Sequence, residues 1–487
     1  MGSPTSRANT GTASFESGKG NSLNITFPEV ETVDLKCVIH FDLYTSDYNG
    51  EFGFDWMRKN WLKTPSECVE GLEDLKKIYT PFAMDINDGS GNPYGDYYVP
   101  WLTMFPKHKE KIGKDVKLIV NMPFDYLAND IDDTQEITFE PSDANLRVEP
   151  SSFVISDLYN AKLVTIHCDG DLAADAVIEA KSPNGVVGKL NVAKNAHHKD
   201  LTINIPVVKA YLTDNATADE AALDAEVAKT PNLQAIEDFL NKNSLNQALV
   251  QVKFQYKDGK PYDWAFSTRS LKVASEGKNP RNGEKDYDYS QFKGMITNEA
   301  TMEVDSGKIL NFFHHQFKLR GENVINQKNI ILYMTPLTTP SAGGVSYASP
   351  LNNKHCIIFK NNLDHVASYA HEISHTLGLL HTFPEAKYAD QEKFINDLKK
   401  TKISYEKNKR DNAAAIVAHP SYGRYINKLI KNQGAIIDGY KALFKSDKYK
   451  FTKKKTSNIM DYDLSDQKFY FKYQIDIMQD EVTKYYH

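Results

Sequence analysis

The sequence is organised around residues 371–381, His371-Glu372-Ile373-Ser374-His375-Thr376-Leu377-Gly378-Leu379-Leu380-His381. His371 and His375 are four residues apart, so on a helix they share one face and can reach one ion. Gly378 permits a sharp left-handed turn at low steric cost, which brings His381 back towards the other two. Three neutral imidazoles leave a fourth tetrahedral position for water, as in catalytic zinc sites. The sequence therefore predicts one catalytic zinc ion, held by these three histidines.

Glu372 lies beside the histidines and is not needed as a ligand. It is therefore free to take a proton from water at the metal, and we predict that it is the general base. The surrounding residues predict a helix with Asp364 as its N-cap and one buried stripe, formed by Val366, Ala370, Ile373 and Leu377. The alternative is an ordinary helix whose histidines are hydrogen-bonded within a core.

The pattern HExxHxxGxxH of residues 371–381 resembles the signature of the metzincin zinc metalloproteases. That family has a second mark, a methionine-containing turn further along the chain. The residues Ser457-Asn458-Ile459-Met460-Asp461-Tyr462 resemble this turn. The resemblance implies that Met460 forms an apolar floor beneath the imidazoles and that Tyr462 acts near the metal. It covers the C-terminal region and implies nothing about the first half of the chain.

The residues before the motif predict the elements of a peptide-binding cleft. A helix is predicted at 306–320 and strands at 329–337 and 355–359, with a glycine-bearing segment between the two strands. This order resembles the upper lobe of a metzincin, where an edge strand can pair with an extended peptide. The candidate edge strand consists of Gly344, Val345, Ser346, Tyr347 and Ala348, and a plain turn is the alternative.

A long region separates the third histidine from the methionine. Helices are predicted near 389–400, 405–418 and 421–446, and a last helix is predicted from Gln467 to Tyr485. Residues 385–455 contain 18 Lys and Arg against 8 Asp and Glu, a local charge of +10. This charge could attract an acidic substrate, but solvated lysine faces on amphipathic helices are the favoured explanation.

The first half predicts further units. Residues 1–25 resemble a flexible tail without the apolar stretch of a signal peptide. Residues 26–142 predict an N-terminal mixed domain, and short alternating runs in 143–215 predict an Ig-like β-sandwich module. A helical connector at 216–245 would lead to the protease domain at 246–487. The predicted fold class is α+β multidomain, with a C-terminal metzincin-like α/β protease domain behind the sandwich and the N-terminal mixed α/β domain.

The composition excludes some classes of protein. The net charge of −6 argues against a general nucleic-acid binder. Four cysteines without CxxC spacing predict buried free thiols. The sequence contains no run of 18 apolar residues, so we predict no membrane span. We expect an extracellular protein, or one delivered outside the producing cell without a recognisable signal peptide, and the sequence leaves its oligomeric state open.

These observations predict a zinc-dependent endopeptidase that hydrolyses peptide bonds in a protein or peptide substrate. Two alternatives remain. One is a delivered toxin or effector peptidase acting on cell-wall peptide or host protein, which fits the missing signal. The other is a non-catalytic zinc-bearing binding protein, against which the retention of Glu372 counts. His167, His197 and His198 lack the spacing of a second metal site, and His355 and His365 are predicted to be structural.

Overall fold

The chain of 487 residues is described from a computed structural model. The structure describes residues 13–16, 22–25, 35–44, 48–87, 93–109, 113–123, 131–197, 201–212, 221–225, 233–256, 262–266, 294–298, 301, 303–319, 328–340, 342–347, 354–462 and 467–486. Two residues used in the predictions, Ala348 and His198, lie outside this description.

Two antiparallel sheets pack face to face in the first half of the chain. The larger sheet has six strands in the spatial order Ser152–Val154, Glu136–Pro141, Ala176–Ser182, Gly185–Val192, Trp101–Thr103 and Gly53–Asp55. The smaller sheet has the order Leu146–Glu149, Lys162–Cys168, Val116–Asn121 and His40–Leu43. Only one neighbouring pair, Gly185–Val192 with Trp101–Thr103, is parallel. The alternating apolar residues of both sheets form one core between them.

The sandwich does not follow the predicted domain boundaries. Its strands extend from His40 to Val192, so the predicted mixed domain at 26–142 and the first part of the predicted module at 143–215 form one unit. Strand Val116–Asn121 lies between Lys162–Cys168 and His40–Leu43, and therefore joins both predicted domains. Alternation in a sequence identifies a strand but does not identify its partner, which explains the difference.

A second sheet, mainly parallel, supports the C-terminal half. Its strands have the order Gln251–Gln255, Thr202–Leu212, Ile331–Met334, His355–Ile358 and Gly344–Ser346, with Tyr262–Phe266 also paired to Thr202–Leu212. Gly344–Ser346 is antiparallel to its neighbour and lies at the edge. The strand Thr202–Leu212 was predicted to belong to the sandwich. It belongs to the parallel sheet instead, where consecutive residues such as Val207 and Val208 are both buried because helices cover both faces.

Helices complete the two covered faces and the C-terminal region. Leu233–Asn243 and Val366–Thr376 pack on one face of the parallel sheet, and Ser306–Leu319 packs on the other. Gln391–Asp411, Ala413–Ala418 and Pro420–Ser446 form a group that we call the helical insert. The last helix is Lys472–Tyr485, shorter than predicted. Two short helices, Lys59–Leu62 and Leu72–Ile78, lie in the N-terminal half.

The two halves are joined by contacts with the last helix and with a small two-stranded sheet. Lys450–Phe451 pairs with Cys68–Glu70, although 380 residues separate them in the sequence. Asp55 Oδ2 accepts hydrogen bonds from Lys472 N at 2.7 Å and from Tyr79 Oη at 2.8 Å. Aromatic side chains from both halves fill this junction, namely Trp61, Tyr79, Tyr449, Phe451 and Phe471. The sandwich is therefore packed directly against the C-terminal unit.

Smaller predictions have mixed outcomes. Ala13–Glu16 pairs with Ser22–Ile25 as a hairpin within the predicted flexible tail, because Leu23 and Ile25 alternate with polar residues. All four cysteines are buried and free, as predicted. Within the described ranges, no helix combines the length and the apolar character that crossing a bilayer requires. The mixed α/β content agrees with an α+β chain, while its Ig-like and metzincin-like classification stays a prediction.

Candidate metal centre

The helix that contains the motif extends from Val366 to Thr376. It begins one residue later than predicted, because His365 and not Asp364 occupies the N-cap position. Gly378 has a φ of +88°, the left-handed conformation that was predicted for it. Every residue from Ser368 to Thr376 is buried, so the face that carries the histidines is also covered. The site therefore lies inside the protein rather than on an open helix face.

Three imidazoles meet beside this helix. The Nε2 atom of His381 lies 3.2 Å from the Nε2 atom of His371 and 3.2 Å from that of His375. The potential ligand atoms of the three side chains all lie within 4.8 Å of one another. In the described part of the chain, this is the only group of His, Cys, Asp or Glu side chains that meets such a criterion. The turn at Gly378 thus brings His381 to the pair on the helix.

The opposite nitrogen of each ring lies close to an oxygen atom, and in two of the three rings this oxygen is a hydrogen-bond acceptor. His371 Nδ1 lies 2.8 Å from the carbonyl oxygen of Ile459, and His375 Nδ1 lies 2.7 Å from that of Leu379. His381 Nδ1 lies 3.2 Å from Glu385 Oε2. Carbonyl oxygens only accept, so the first two rings carry their proton on Nδ1 and direct an Nε2 lone pair towards the meeting point. Such partners commonly orient histidines that bind metals.

The geometry of the three rings and the protonation of two of them fit a zinc ion. Zn–N distances of about 2.0–2.1 Å in a tetrahedron separate two ligand nitrogens by about 3.3 Å, close to the 3.2 Å found here. Burial lowers the pKa of His371 to about 3, and burial with the neighbouring rings lowers that of His375 well below its ordinary value. Both rings are neutral at neutral pH, as metal binding requires.

Glu372 points towards the edge strand. Its Oε2 accepts a hydrogen bond of 2.8 Å from Ser346 Oγ, which also lies 2.8 Å from the Glu372 carbonyl oxygen. A Cβ added to Gly344 would lie 2.6 Å from Glu372 Cγ, so only glycine leaves room for this side chain. Burial raises the pKa of Glu372 to about 8, against the opposing hydrogen bond from Ser346. A nearby cation would favour the ionised carboxylate.

The segment 458–462 passes close to the imidazoles. Besides the Ile459 carbonyl, which meets His371, the Met460 carbonyl accepts from Thr382 N at 3.3 Å. Met460 is fully buried in the same core as the motif helix. The buried carboxylate of Asp461 accepts from the backbone of Lys454, Thr456 and Tyr462 at 2.7–3.0 Å. These bonds fix a turn beside the histidines, although 79 positions separate His381 from Met460.

Two aromatic rings border the meeting point of the imidazoles. The Tyr462 ring lies 4.8 Å from that of His381 and 5.8 Å from that of His371, measured between centroids. Phe383 stacks on His381 at 4.9 Å, and Lys453 Nζ lies 4.8 Å above both Phe383 and Tyr462. Partial burial, with the charges of Glu372 and Glu385, raises the pKa of Tyr462 to about 12. Its hydroxyl is therefore protonated and able to donate a hydrogen bond.

The structure also places the remaining candidates. Gly344, Val345 and Ser346 form the edge strand and Tyr347 follows it, its hydroxyl donating to the Gly307 carbonyl at 3.0 Å. Ala348 lies outside the described residues. His365 meets Ser368 Oγ at 3.0 Å. His355 begins the strand His355–Ile358, and its ring stacks on that of His314 at 3.8 Å.

Sequence reasoning missed two contributors to the centre. Glu385 meets His381 through Oε2 and Lys387 Nζ at 3.2 Å through Oε1. Burial alone would raise its pKa, but the hydrogen bond and charge of His381 outweigh burial and lower the value to about 2. A carboxylate four residues after the third histidine was a usable signal for this contact. The bond between Ser346 and Glu372 joins residues 26 positions apart and had no local signal.

Comparisons with known proteins give weak likenesses. No protein-family model and no curated protein matches the chain. A crystal structure of archaemetzincin from Methanopyrus kandleri matches with a TM-score of 0.19 and 13% identity over 37% of this chain and 76% of that one. Metalloproteinase-II from Bacteroides fragilis matches with a TM-score of 0.17 and 12% identity over 54% of this chain and 72% of that one. A chaperone–substrate complex matches with a TM-score of 0.20 and 10% identity over 45% of this chain and 28% of that one. Two of these weak neighbours are metallopeptidases, but TM-scores of this size do not establish a shared fold.

Proposed function

We propose that the protein is a zinc-dependent endopeptidase of the metzincin type. The observation that carries this proposal is the meeting of three Nε2 atoms whose rings are oriented from behind by Ile459, Leu379 and Glu385. Glu372 supports a hydrolytic role, because it is a buried carboxyl with a raised pKa beside the three imidazoles, and such groups cluster at catalytic sites. The ligands would be His371, His375 and His381, with one catalytic zinc ion.

The residues of the chain then have separate tasks in peptide hydrolysis. A zinc ion at this place supplies a Lewis acid that polarises the scissile carbonyl and acidifies water. Glu372 takes the proton of the attacking water and passes it to the leaving amine nitrogen. The hydrogen bond from Ser346 holds Glu372 in position for both transfers. Tyr462, protonated at neutral pH, donates a hydrogen bond to the oxygen on which negative charge develops.

The same proposal assigns roles to the edge strand and to the buried methionine. Gly344–Ser346 lies at the end of the parallel sheet and touches Glu372, so an extended peptide paired to it would pass the imidazoles. Met460 would be the apolar floor of the metal centre, within a turn fixed by Asp461. The proposal leaves the source of the peptide, whether host protein or cell-wall peptide, to experiment.

A broad peptide-library digest tests the proposal, with the zinc-loaded protein run with and without a chelator. We expect cleavage that the chelator abolishes and added zinc restores. Glu372→Ala should keep its zinc and lose turnover by about 10²–10⁴-fold, the usual contribution of a general base. Glu392→Ala, which removes an exposed glutamate at the start of the helical insert, is the matched control and should retain full turnover.

Two results would contradict the proposal. Wild-type rates in a zinc-loaded Glu372→Ala protein would remove Glu372 as the base. A zinc-loaded wild type that cleaves nothing across the library would favour the alternative, a binding protein in which zinc shapes a surface.

A further inference from the structure

A polar cavity of about 570 Å³ lies beside the metal centre. Its charged lining consists of Glu70, Glu385, Asp390, Asp447 and Lys450. Glu385 belongs to both sites, because its Oε2 meets His381 and its side chain also lines the cavity. Glu70 comes from the N-terminal half and is held there by the strand pairing between Cys68–Glu70 and Lys450–Phe451. The cavity is therefore a composite of segments that are far apart in the sequence.

The cavity is acidic although the region around it is basic. Four carboxylates line it against one ammonium group, whereas residues 385–455 as a whole carry a charge of +10. The one ammonium is already engaged, because Lys450 Nζ donates to the His381 carbonyl at 3.0 Å and to Asp447 Oδ1 at 2.6 Å. Lys387 Nζ also lies 3.2 Å from Glu385 Oε1, so two of the four carboxylates are paired with a lysine. The negative charge that an incoming cation would meet is mainly that of Glu70 and Asp390.

Asp447 is the strongest sign that a ligand belongs here. Its side chain is only 10% exposed, and its Oδ2 has no hydrogen-bond partner among the described residues. Burial raises the pKa of this carboxyl and outweighs the opposing contact with Lys450. Leaving a buried acceptor without a donor is unfavourable. A cationic group in the cavity would stabilise the ionised form of Asp447 through its charge.

The shape of the cavity favours an organic cation over a metal ion. Within the described residues, the carboxylates of the cavity do not form a group with ligand atoms close enough for one ion, unlike the three histidines. The volume is large for a single ion, and Pro384, Tyr388 and Ala389 add apolar surface to the wall. A long aliphatic stem with a charged end matches this combination of apolar and acidic lining.

We propose that the cavity receives a lysine or arginine side chain of a peptide substrate whose backbone lies at the imidazole site. The inference rests on the proposed peptidase function and adds a substrate class to it. Glu385 connects the two sites, so a basic residue within side-chain reach of the scissile bond can enter the cavity while the backbone passes the metal. Glu70 gives the N-terminal half a direct part in substrate selection.

Pairs of peptides that differ only in arginine or citrulline test this inference, since citrulline keeps the shape and removes the charge. The substitution is scanned over four positions on either side of each cleavage site found for the zinc-loaded protein. At one position, we expect kcat/KM to be about 10–100-fold higher for arginine, the range of a charge-assisted hydrogen bond. Equal kcat/KM at every position would overturn the inference and leave the peptidase proposal standing.

Variants of the cavity residues test whether the preference for arginine over citrulline arises in the cavity. Asp447→Asn and Glu70→Gln should each lower the arginine-to-citrulline ratio towards one. Asp438→Asn is the matched control, because this exposed carboxylate lies on the helical insert outside the cavity and its loss should leave the ratio unchanged. Thermal unfolding checks that each variant is folded. Because Glu70 is exposed, we expect the fold to tolerate its replacement. An unchanged ratio in both cavity variants would overturn the inference.

Should the zinc-loaded protein cleave no peptide, the peptidase proposal fails and binding decides the inference. The same peptide pairs are then titrated into the zinc-loaded protein. Binding of the arginine peptides about tenfold tighter or more, lost in Asp447→Asn, supports a site for basic side chains, and equal binding of both members overturns it.

Discussion

The imidazole site and the acidic cavity share Glu385 but are built in opposite ways. The imidazole site takes its three potential ligands from residues 371–381, a helix and the turn after it. The cavity takes its lining from residue 70, from 384–391 and from 447–450. The imidazoles of His371 and His375 are neutral and fixed by backbone carbonyls. The cavity carries several negative charges, and in the described residues one oxygen of Asp447 has no hydrogen-bond partner.

Because the two sites are built differently, they depend on different parts of the fold. The imidazole site needs its helix, the turn at Gly378 and the segment 458–462. The cavity also needs the junction between the halves, where Lys450–Phe451 pairs with Cys68–Glu70 and aromatic side chains pack around Trp61. Lys450 and Phe451 also donate hydrogen bonds to the carbonyls of His381 and Thr382. Changes on the N-terminal side of the junction should therefore affect the cavity and spare metal binding, and changes within the motif should do the reverse.

Removing the third histidine should have the largest effect and should be confined to the imidazole site. Zinc sites bind with about 10–16 kcal/mol spread over their ligands, so His381→Ala should weaken zinc binding by about 10²–10³-fold. Competition with a chromophoric chelator measures this affinity. His419→Ala, at an exposed position before the second long helix of the insert, should bind zinc like the wild type. Unchanged affinity in His381→Ala would remove His381 as a ligand.

Adding one methyl group at the edge strand should impair turnover and leave metal binding intact. In Gly344→Ala, the new Cβ would lie 2.6 Å from Glu372 Cγ and 2.9 Å from Oε1, so the carboxylate must move. A misplacement of about 1 Å costs roughly 10²-fold in rate. Steady-state kinetics and zinc analysis separate the two properties. Gly434→Ala, with its nearest neighbour at 3.7 Å, is the control, and a Gly344→Ala protein with wild-type kcat would refute the positioning of Glu372 by this strand.

The shared residue should link the two sites, with a smaller effect on metal binding. Glu385→Gln keeps the shape but removes the charge that faces His381 Nδ1, and loss of such a partner typically weakens metal affinity by about 10–100-fold. The arginine preference of the cavity should fall in the same variant. Chelator competition and the peptide pairs measure the two effects on one preparation. A variant that changes neither would show that Glu385 serves neither site.

The smallest effect is expected from a single hydroxyl at the junction. Tyr79→Phe removes the hydrogen bond of 2.8 Å to the buried carboxylate of Asp55 and should lower the free energy of unfolding by about 1–2 kcal/mol. Denaturant unfolding measures this loss, and exposed Tyr44→Phe is the control. Zinc affinity should be unchanged in both. A marked loss of zinc in Tyr79→Phe would break the proposed independence of the imidazole site from the junction.

The sequence was most informative where contacts are local. His371 and His375 share a face because four residues make about one helical turn, and Gly378 is recognisable because its conformation suits glycine. The helix at 306–319 and the strands near 331 and 355 were also found, since apolar spacing within a short segment determines them.

Pairing between segments that are distant in the sequence could not be predicted. Strand Thr202–Leu212 was placed in the sandwich because its first half alternates, and only burial on both faces reveals that it belongs to the parallel sheet. Glu70 carried no signal of its own, because its place in the cavity depends on pairing with a strand 380 residues later. Ser346 was chosen for the edge strand, yet its bond to Glu372 follows from tertiary packing alone.

The chain leaves the metal centre after Thr382 and returns to the same place. Phe451 N donates to the Thr382 carbonyl at 2.8 Å, and Thr382 N donates to the Met460 carbonyl. Residues 383–450 therefore form a long excursion, a segment whose two ends are held together by hydrogen bonds. The entropic cost of closing such a segment grows only slowly with its length. Homologues are therefore free to carry an excursion of another size at this point. A sequence search that fixes the distance between the third histidine and the methionine would overlook them, whereas one that leaves this distance open would find them.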